Sequence, residues 1–496
     1  MSRPLRIAAL CIPALCGVLL AVAYAQLWNT PIVVHDTRTY LGSGRLLVWG
    51  LMSRSPVYGF FLLAIIKSGW IMLAVWIPVL CWIACIWVFT HLLHMLTGSV
   101  RRAVLGGALF VLFEWLIMYT LALQWWMIPD ALYSDLVTLG VFVMLVGLWR
   151  KSAPLLLGGC YLLALANFLR PMTTSLAIGV LLLLATVILN RRQWPKRLLM
   201  AGAAILITPP LVLATMNWVI GGRWTVSPLT GLVSVGYTHL LLEPGDQIYD
   251  DAATNEEFHR TVKERAVPEG RTTYDVFGVR GKVFPSGDDD WGPLLLFFSS
   301  LDPWIDLPHT LFRASERSYE ATMKLIRLHP MAYVRAAVRQ TWYVLIPTQT
   351  ARNRHFFVGD PSKLLAIVEY PSKSEDIAGP LPDARLSDHS FSRYFESLPL
   401  GVRLPKAAGS RTALLVISIA LGLAILALRH LRSGDERRKV LGIAMLLCAL
   451  QTLSSALGYS LSTNYYNPRY TVPGLMTAEA AVILALMSIG LRRQKQ

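Results

Sequence analysis

The stretch WIMLAVWIPVLCWIACIWVFTHLLHML, residues 70–96, contains no Asp, Glu, Lys or Arg. About 20 apolar residues suffice for a helix to cross the ~30 Å hydrocarbon core of a bilayer, so this stretch can span one. Similar runs recur along the 496-residue chain, which is 54% hydrophobic and 15% charged. The sequence predicts an all-α polytopic membrane protein with about ten transmembrane helices. The predicted spans are 7–28, 70–96, 103–123, 131–149, 154–168, 172–189, 198–219, 412–428, 440–461 and 471–490.

The basic residues predict the orientation of these spans. One set of short connections, which includes both chain ends, carries eighteen Lys and Arg residues, and the alternate set carries six. Because Lys and Arg are enriched in cytoplasmic loops, we expect both termini in the cytoplasm. The net charge of +16 is therefore explained by topology and does not indicate a nucleic-acid partner.

A turn is predicted at Arg170-Pro171, between two short spans, because proline disfavours a helical conformation in the residue before it. All six cysteines fall inside predicted spans, so no disulfide framework is expected.

The chain divides into three predicted modules. Residues 1–220 form an N-terminal transmembrane module whose first external loop is 29–69, and residues 412–496 form a C-terminal transmembrane module. Residues 221–411 hold 23 of the 30 acidic side chains and 22 basic ones, which predicts one large mixed extracytoplasmic domain. Within it we expect two helices broken at His329-Pro330. The second helix has an apolar face that fits either the membrane surface or the core of the domain.

Charged side chains near the hydrocarbon region are costly, and several follow the first span. Asp36 lies just beyond its external end, and Arg54 precedes a proline at the start of SRSPVYGFFLLAII. Arg170 and Arg469 sit at the external ends of two other spans. Together these arginines are candidates to bind a phosphate or diphosphate through charge-assisted, bidentate hydrogen bonds. For each arginine alone, the alternative is that its side chain extends to the membrane interface.

These segments resemble the GT-C superfamily of polytopic glycosyltransferases, which use a sugar joined to a polyprenyl phosphate or diphosphate. The D-x-R-x-Y pattern at Asp36, Arg38 and Tyr40, followed by SRSPVYGFFL, is similar to the lipid A aminoarabinose transferases and protein O-mannosyltransferases. NFLRPMTTSLAIG and NPRYTVPGLM look like the Arg-Pro and Arg-Tyr…Pro segments of bacterial members. The resemblance covers roughly the first 220 residues and the last 90.

The resemblance implies a reaction and a set of roles. Asp36 would act as the general base on an acceptor hydroxyl, and Arg54, Arg170 and Arg469 would hold the donor phosphate. We expect inversion at the anomeric carbon. The acceptor would be an extracytoplasmic glycan, lipid or protein, and the protein would lie in the bacterial inner membrane. The candidate substrate-binding residues are His35, Arg38, Tyr40, Arg45, Asp130, Tyr133 and Tyr466.

Other acidic residues have open interpretations. Asp130 stands where an N-cap belongs, and the alternative is an acceptor or metal contact. Glu114 and Glu479 lie near the middle of predicted spans, where a structural role is as plausible as a functional one. We expect no cofactor. Asp288-Asp289-Asp290 offers oxygen ligands for a divalent cation, but we favour a solvated loop there.

Two other functions compete with the glycosyltransferase hypothesis. An O-antigen ligase or polymerase also has many spans and a large external loop, and here it would use Arg352, Arg354 and His355. A non-enzymatic flippase for lipid-linked oligosaccharides would use charged residues at mid-membrane, although the sequence shows no related halves.

Overall fold

The computed structural model describes most of the membrane helices and part of the region between them. The described residues are 2–27, 37, 40–41, 55–117, 124–125, 128–189, 195–227, 234–235, 238–263, 297–301, 307–345, 410–462 and 472–489. Helices make up 86% of the structure and no strand occurs in these ranges, so the predicted all-α class is confirmed for them.

The helices of this described part are numbered here in chain order. They are α1 Arg3–Leu27, α2 Pro56–Lys67, α3 Leu73–Thr97, α4 Val100–Ile117, α5 Pro129–Arg150, α6 Ala153–Leu169, α7 Thr173–Leu189, α8 Lys196–Gly221, α9 Ala252–Thr261, α10 Leu307–Leu328, α11 Pro330–Leu345, α12 Ser410–Leu431, α13 Glu436–Ser462 and α14 Val472–Ser488. Each of the ten predicted spans overlaps one of them. Five helices in the described ranges are long and apolar enough to cross a bilayer by length and composition: α3, α5 and α8, with parts of α1 and α13. The described part of the chain is all-α and has the several apolar helices of a membrane protein.

Helix α5 lies at the centre of the bundle. Eighteen of its 22 residues are buried, and it packs against α3, α6, α7 and α14. Its contact with α6 is a close backbone approach, because a Cβ added to Gly159 would stand 2.8 Å from the Gly140 carbonyl oxygen. Helices in lipid associate chiefly through such packing, since lipid tails are as apolar as leucine. Small residues on α5 and α6 therefore set the spacing of the bundle.

The two ends of α5 provide names for the two ends of the bundle. At the Asp130 end, α5 begins and α6 finishes. At the Arg150 end, the guanidinium of Arg150 lies 2.6 Å from Nε2 of His91 on α3.

The predicted turn at Arg170-Pro171 is confirmed: α6 ends at Leu169, Arg170 is extended, and α7 begins at Thr173. All six cysteines are described and free, as expected.

The described residues between 234 and 345, called here the accessory region, have a hydrophobic core of their own. The rings of Phe258, Phe297 and Phe298 contact one another there in tilted and edge-to-face arrangements and pack with Val235 and Leu325. This described part is helical, so the mixed character expected for 221–411 is not seen in it.

The predicted helix break at His329-Pro330 is confirmed, since α10 ends at Leu328 and α11 begins at Pro330. On α11, Met331, Val334 and Val338 are exposed, whereas Ala336 and Ala337 are buried. The small residues therefore pack against the protein, notably α13, and the larger apolar residues face outward. The apolar face of α11 was expected to lie either on the membrane surface or in the core of the domain. For Met331, Val334 and Val338 the expectation of a place in the domain core is wrong, because their side chains are exposed.

Candidate functional site

An ion pair between Asp130 and Arg170 marks the Asp130 end of the bundle. Asp130 Oδ1 contacts Arg170 Nη1, and the two side chains are only 4% and 17% exposed. Asp130 is not the N-cap that the sequence predicted, because α5 starts at Pro129 and Ile128 occupies the cap position. Its carboxylate lies in the first turn, where the positive end of the helix dipole favours it. The pair thus joins the start of α5 to Arg170, the residue directly after the end of α6.

Ser55 connects α2 to the same place. Its hydroxyl donates a 2.5 Å hydrogen bond to the carbonyl oxygen of Phe168, two residues before Arg170. That carbonyl is among the last four of α6, which have no partner within their own helix. Ser55 is the N-cap residue of α2, but its side chain makes no capping bond because it is used in this contact. The start of α2 is therefore fixed against the end of α6.

Tyr40 extends this series of contacts toward the first loop. Its ring packs edge-to-face on the ring of Tyr58 in α2, with centroids 5.1 Å apart. Thr37, Tyr40 and Leu41 are all buried. Contacts thus run from Tyr40 through α2 and the end of α6 to Asp130.

Of the candidate site residues, the structure describes Tyr40, Asp130, Tyr133 and Arg170, and it brings Asp130 and Arg170 together. Tyr133 is fully buried one turn along α5 from Asp130. Outside the described residues lie His35, Asp36, Arg38, Arg45, Arg54, Tyr466 and Arg469, together with Asp288-Asp289-Asp290 and Arg352, Arg354 and His355. Their predicted roles stay predictions.

Deeper in the bundle, Asp135 is fully buried on α5. Its Oδ2 accepts a 3.0 Å hydrogen bond from Nε2 of Gln124, and its backbone carbonyl accepts one from the Cys85 thiol. Gln124 was missed by the sequence analysis, because a glutamine just after a predicted span carries no recognisable signal. Within the described residues, no group of three or more His, Cys, Asp or Glu side chains could hold a metal ion.

Chemically, this end of the bundle combines a positioned guanidinium with buried tyrosines. A guanidinium has five N–H donors in a fixed plane and can bind two anions at once. Such an arrangement can bind a phosphate with little reorganisation.

Searches with protein-family models, curated proteins and solved structures found no match to this chain.

Proposed function

We propose that this protein is a membrane glycosyltransferase of the GT-C type that moves a sugar from a polyprenyl-phosphate carrier to an extracytoplasmic glycan, lipid or protein. In this proposal the ten apolar helices are transmembrane, both termini are cytoplasmic, and the Asp130 end faces the periplasm of a bacterial inner membrane. Residues 221–411 form the extracytoplasmic domain.

The observation that carries the proposal is the series of contacts at the Asp130 end. Thr37 directly follows Asp36 in the sequence, and Ser55 directly follows Arg54. Ser55 bonds to Phe168, next to the Asp130–Arg170 pair, and Tyr40 packs on Tyr58 of the same helix. Three segments that carry proposed catalytic or phosphate-binding residues thus meet at one end of the bundle, which supports a shared site.

Asp130 supports the role proposed for Arg170. A guanidinium has five N–H donors, so one arginine can contact a carboxylate and a phosphate at the same time. Holding the guanidinium beforehand reduces the cost of ordering it when the donor lipid binds. In this scheme Asp130 is a positioning residue and Arg170 contacts the leaving phosphate.

The chemistry follows from these roles. The Asp36 carboxylate accepts the proton of the acceptor hydroxyl while the hydroxyl oxygen attacks the anomeric carbon. The bond from the anomeric carbon to the phosphate oxygen breaks, and Arg54, Arg170 and Arg469 stabilise the charge on the departing lipid phosphate. Direct displacement inverts the anomeric centre, and no metal is required in this scheme.

The test compares Asp36→Asn with the unchanged protein in liposomes. The donor is a panel of labelled undecaprenyl-phosphate sugars, and the acceptor is a cell-envelope extract. A general base typically contributes a factor of about 10²–10⁴ to the rate, so we expect transfer to fall at least about 100-fold. Asp250→Asn is the matched control, because the Asp250 side chain is fully exposed in the accessory region. Full activity of Asp36→Asn would remove Asp36 from the mechanism.

A second candidate function is a flippase for lipid-linked oligosaccharides. The observation that favours it is the burial of Glu114, Asp135 and Glu479 within the helix bundle, where acidic residues often mark a transport path. Movement of a fluorescent lipid-linked oligosaccharide between leaflets, without transfer of its sugar to any acceptor, would support this candidate against the enzyme.

A further inference from the structure

Arg150, in the last turn of α5, lies across the neighbouring helix α3. Its Nη2 is 2.6 Å from Nε2 of His91, and its Nε donates a 3.3 Å hydrogen bond to the sulfur of Met95. A guanidinium cannot accept a hydrogen bond, so His91 accepts through Nε2 and carries its proton on Nδ1. Two neutral acceptors thus hold the Arg150 side chain in place without neutralising its charge.

The acidic residues close to Arg150 in the sequence of contacts are paired with other cations. Glu436 lies 3.2 Å from Lys151, and Asp435 lies 3.9 Å from Arg438. In the described part of the chain, no carboxylate pairs with Arg150, and no acceptor is bonded to its Nη1. The exposed guanidinium therefore has N–H donors for an anion from outside the chain.

An exposed apolar surface on α3 leads away from this guanidinium toward the middle of the bundle. The ring of Trp87 is half exposed and stacks on the His91 ring with centroids 6.2 Å apart. Leu80, two turns earlier on the same face of α3, is also exposed. Tryptophan is enriched at membrane–water interfaces, where its ring meets headgroups and acyl chains. We call Leu80, Trp87, His91, Met95 and Arg150 the α3–α5 site.

Arg437, in the first turn of α13, adds a second positive charge beside the α3–α5 site. Its guanidinium lies over the ring of Trp149, 5.8 Å from the centroid, and Trp149 directly precedes Arg150. A Cβ added to Gly98, the C-cap of α3, would stand 3.0 Å from Nη1 of Arg437. The negative end of the α3 dipole accounts for this position. The charge of Arg437 adds to the potential that attracts an anion.

We propose that the α3–α5 site binds an anionic phospholipid, with the lipid phosphate on Arg150 and the acyl chains along Trp87 and Leu80. Basic pockets between transmembrane helices bind anionic headgroups in this way. A free phosphate ion would meet the guanidinium but gain nothing from the apolar surface, so that surface favours a lipid. The site lies about 30 Å along α5 from Asp130, so lipid binding there does not require the proposed sugar transfer.

The test is native mass spectrometry of the detergent-solubilised, full-length protein with added dioleoylphosphatidylglycerol or dioleoylphosphatidylcholine. The two lipids have the same acyl chains and differ in net charge. We expect the wild type to bind phosphatidylglycerol about 10-fold more tightly, because two arginines contribute. In Arg150→Gln this affinity should fall about 10-fold, to near that for phosphatidylcholine, because a charge-assisted hydrogen bond is lost.

Arg429→Gln is the matched control, because Arg429 is an exposed arginine in the last turn of α12. Any general effect of net charge is the same in both variants, so Arg429→Gln should leave the affinity nearly unchanged. Equal losses in the two variants would overturn the proposal.

The wild type decides even where a variant does not fold. Equal affinities of the wild type for the two lipids would overturn the proposal. Displacement of bound phosphatidylglycerol by excess inorganic phosphate would show that the site recognises free phosphate, which also overturns it.

Discussion

The helix bundle and the accessory region use similar charged residues in opposite surroundings. In the bundle, Asp130 and Arg170 pair with almost no exposure of the carboxylate. In the accessory region, Arg317 and Glu320 pair at 3.2 Å with each side chain about half exposed. Water and salt screen the second pair but not the first. The comparison teaches that burial, more than the identity of the partners, determines how much each pair contributes.

Removing the charge of Asp130 should give the largest effect. Asp130→Ala leaves the Arg170 guanidinium without its carboxylate, and breaking a buried pair typically costs about 3–5 kcal/mol. We expect a clear drop in the thermal unfolding midpoint of the detergent-solubilised protein, followed by circular dichroism. Glu320→Ala is the matched control and should change the free energy of unfolding by less than about 1 kcal/mol. Equal effects of the two substitutions would show that burial does not separate the two regions.

The α5–α6 contact gives the next largest effect. In Gly159→Ala the new methyl group would meet the Gly140 carbonyl oxygen at 2.8 Å, and overpacking of this kind costs about 1–3 kcal/mol. The neighbouring Gly158 has open space around it, so Gly158→Ala should stabilise α6 by about 0.5–1 kcal/mol through its helix propensity. The midpoint of thermal unfolding measures the change in stability for each of the two variants. A loss in Gly158→Ala as large as that in Gly159→Ala would contradict the close approach.

Hydropathy predicted most of the helices of the bundle, because each helix carries its own signal. The turn at Arg170-Pro171 and the break at His329-Pro330 were predicted because proline acts locally on the backbone. The 12-residue helix α2 was expected only as an apolar segment behind Pro56, since its length is well short of a span.

The site was less predictable, because side-chain partners come from distant parts of the chain. Asp130 is 40 positions from Arg170, and its local context indicated a cap, whereas the structure shows an ion pair. Ser55 and Phe168 are separated by 113 positions, and neither carries a sequence signal for the bond between them. Glu114 and Glu479 were recognised as costly, but nothing in their local sequence shows that the folded chain brings their side chains close enough to interact.

A smaller effect is expected for Asp246 in the accessory region. Its Oδ2 lies 2.7 Å from Nε2 of His329 at the α10–α11 break and accepts a 2.8 Å hydrogen bond from the Glu243 backbone N–H. Asp246→Asn should destabilise this region by about 1–2 kcal/mol, because a charged acceptor is replaced by a neutral one. Limited proteolysis of the accessory region measures the change. Asp250→Asn removes an exposed carboxylate 3.6 Å from Lys324 and should leave the cleavage rate nearly unchanged. If both variants were cleaved at the same rate, the contact of Asp246 with His329 would contribute no more to the stability of the accessory region than the exposed contact of Asp250 with Lys324.

The smallest effect concerns Asp251, the N-cap of α9. Its Oδ2 accepts hydrogen bonds from the Thr254 hydroxyl at 2.6 Å and from the Thr254 backbone N–H at 2.7 Å. These bonds, the hydroxyl first, hold the pKa of Asp251 below its ordinary value. Because the folded pKa is lowered, the stabilisation is complete above the unfolded pKa of about 3.9 and is lost as the pH falls through the folded value.

Asp251→Asn tests whether this stabilisation is lost as the pH falls, since asparagine caps a helix but does not titrate. Hydrogen exchange of the α9 amides, expressed as protection factors, should be slightly greater in the wild type near neutral pH. The difference should vanish in acid as the Asp251 carboxylate takes up a proton. A difference that grows on acidification would contradict a lowered pKa for Asp251. Since Asp251 is fully exposed, even the confirmed result would be small beside that of Asp130, which is the contrast that burial predicts.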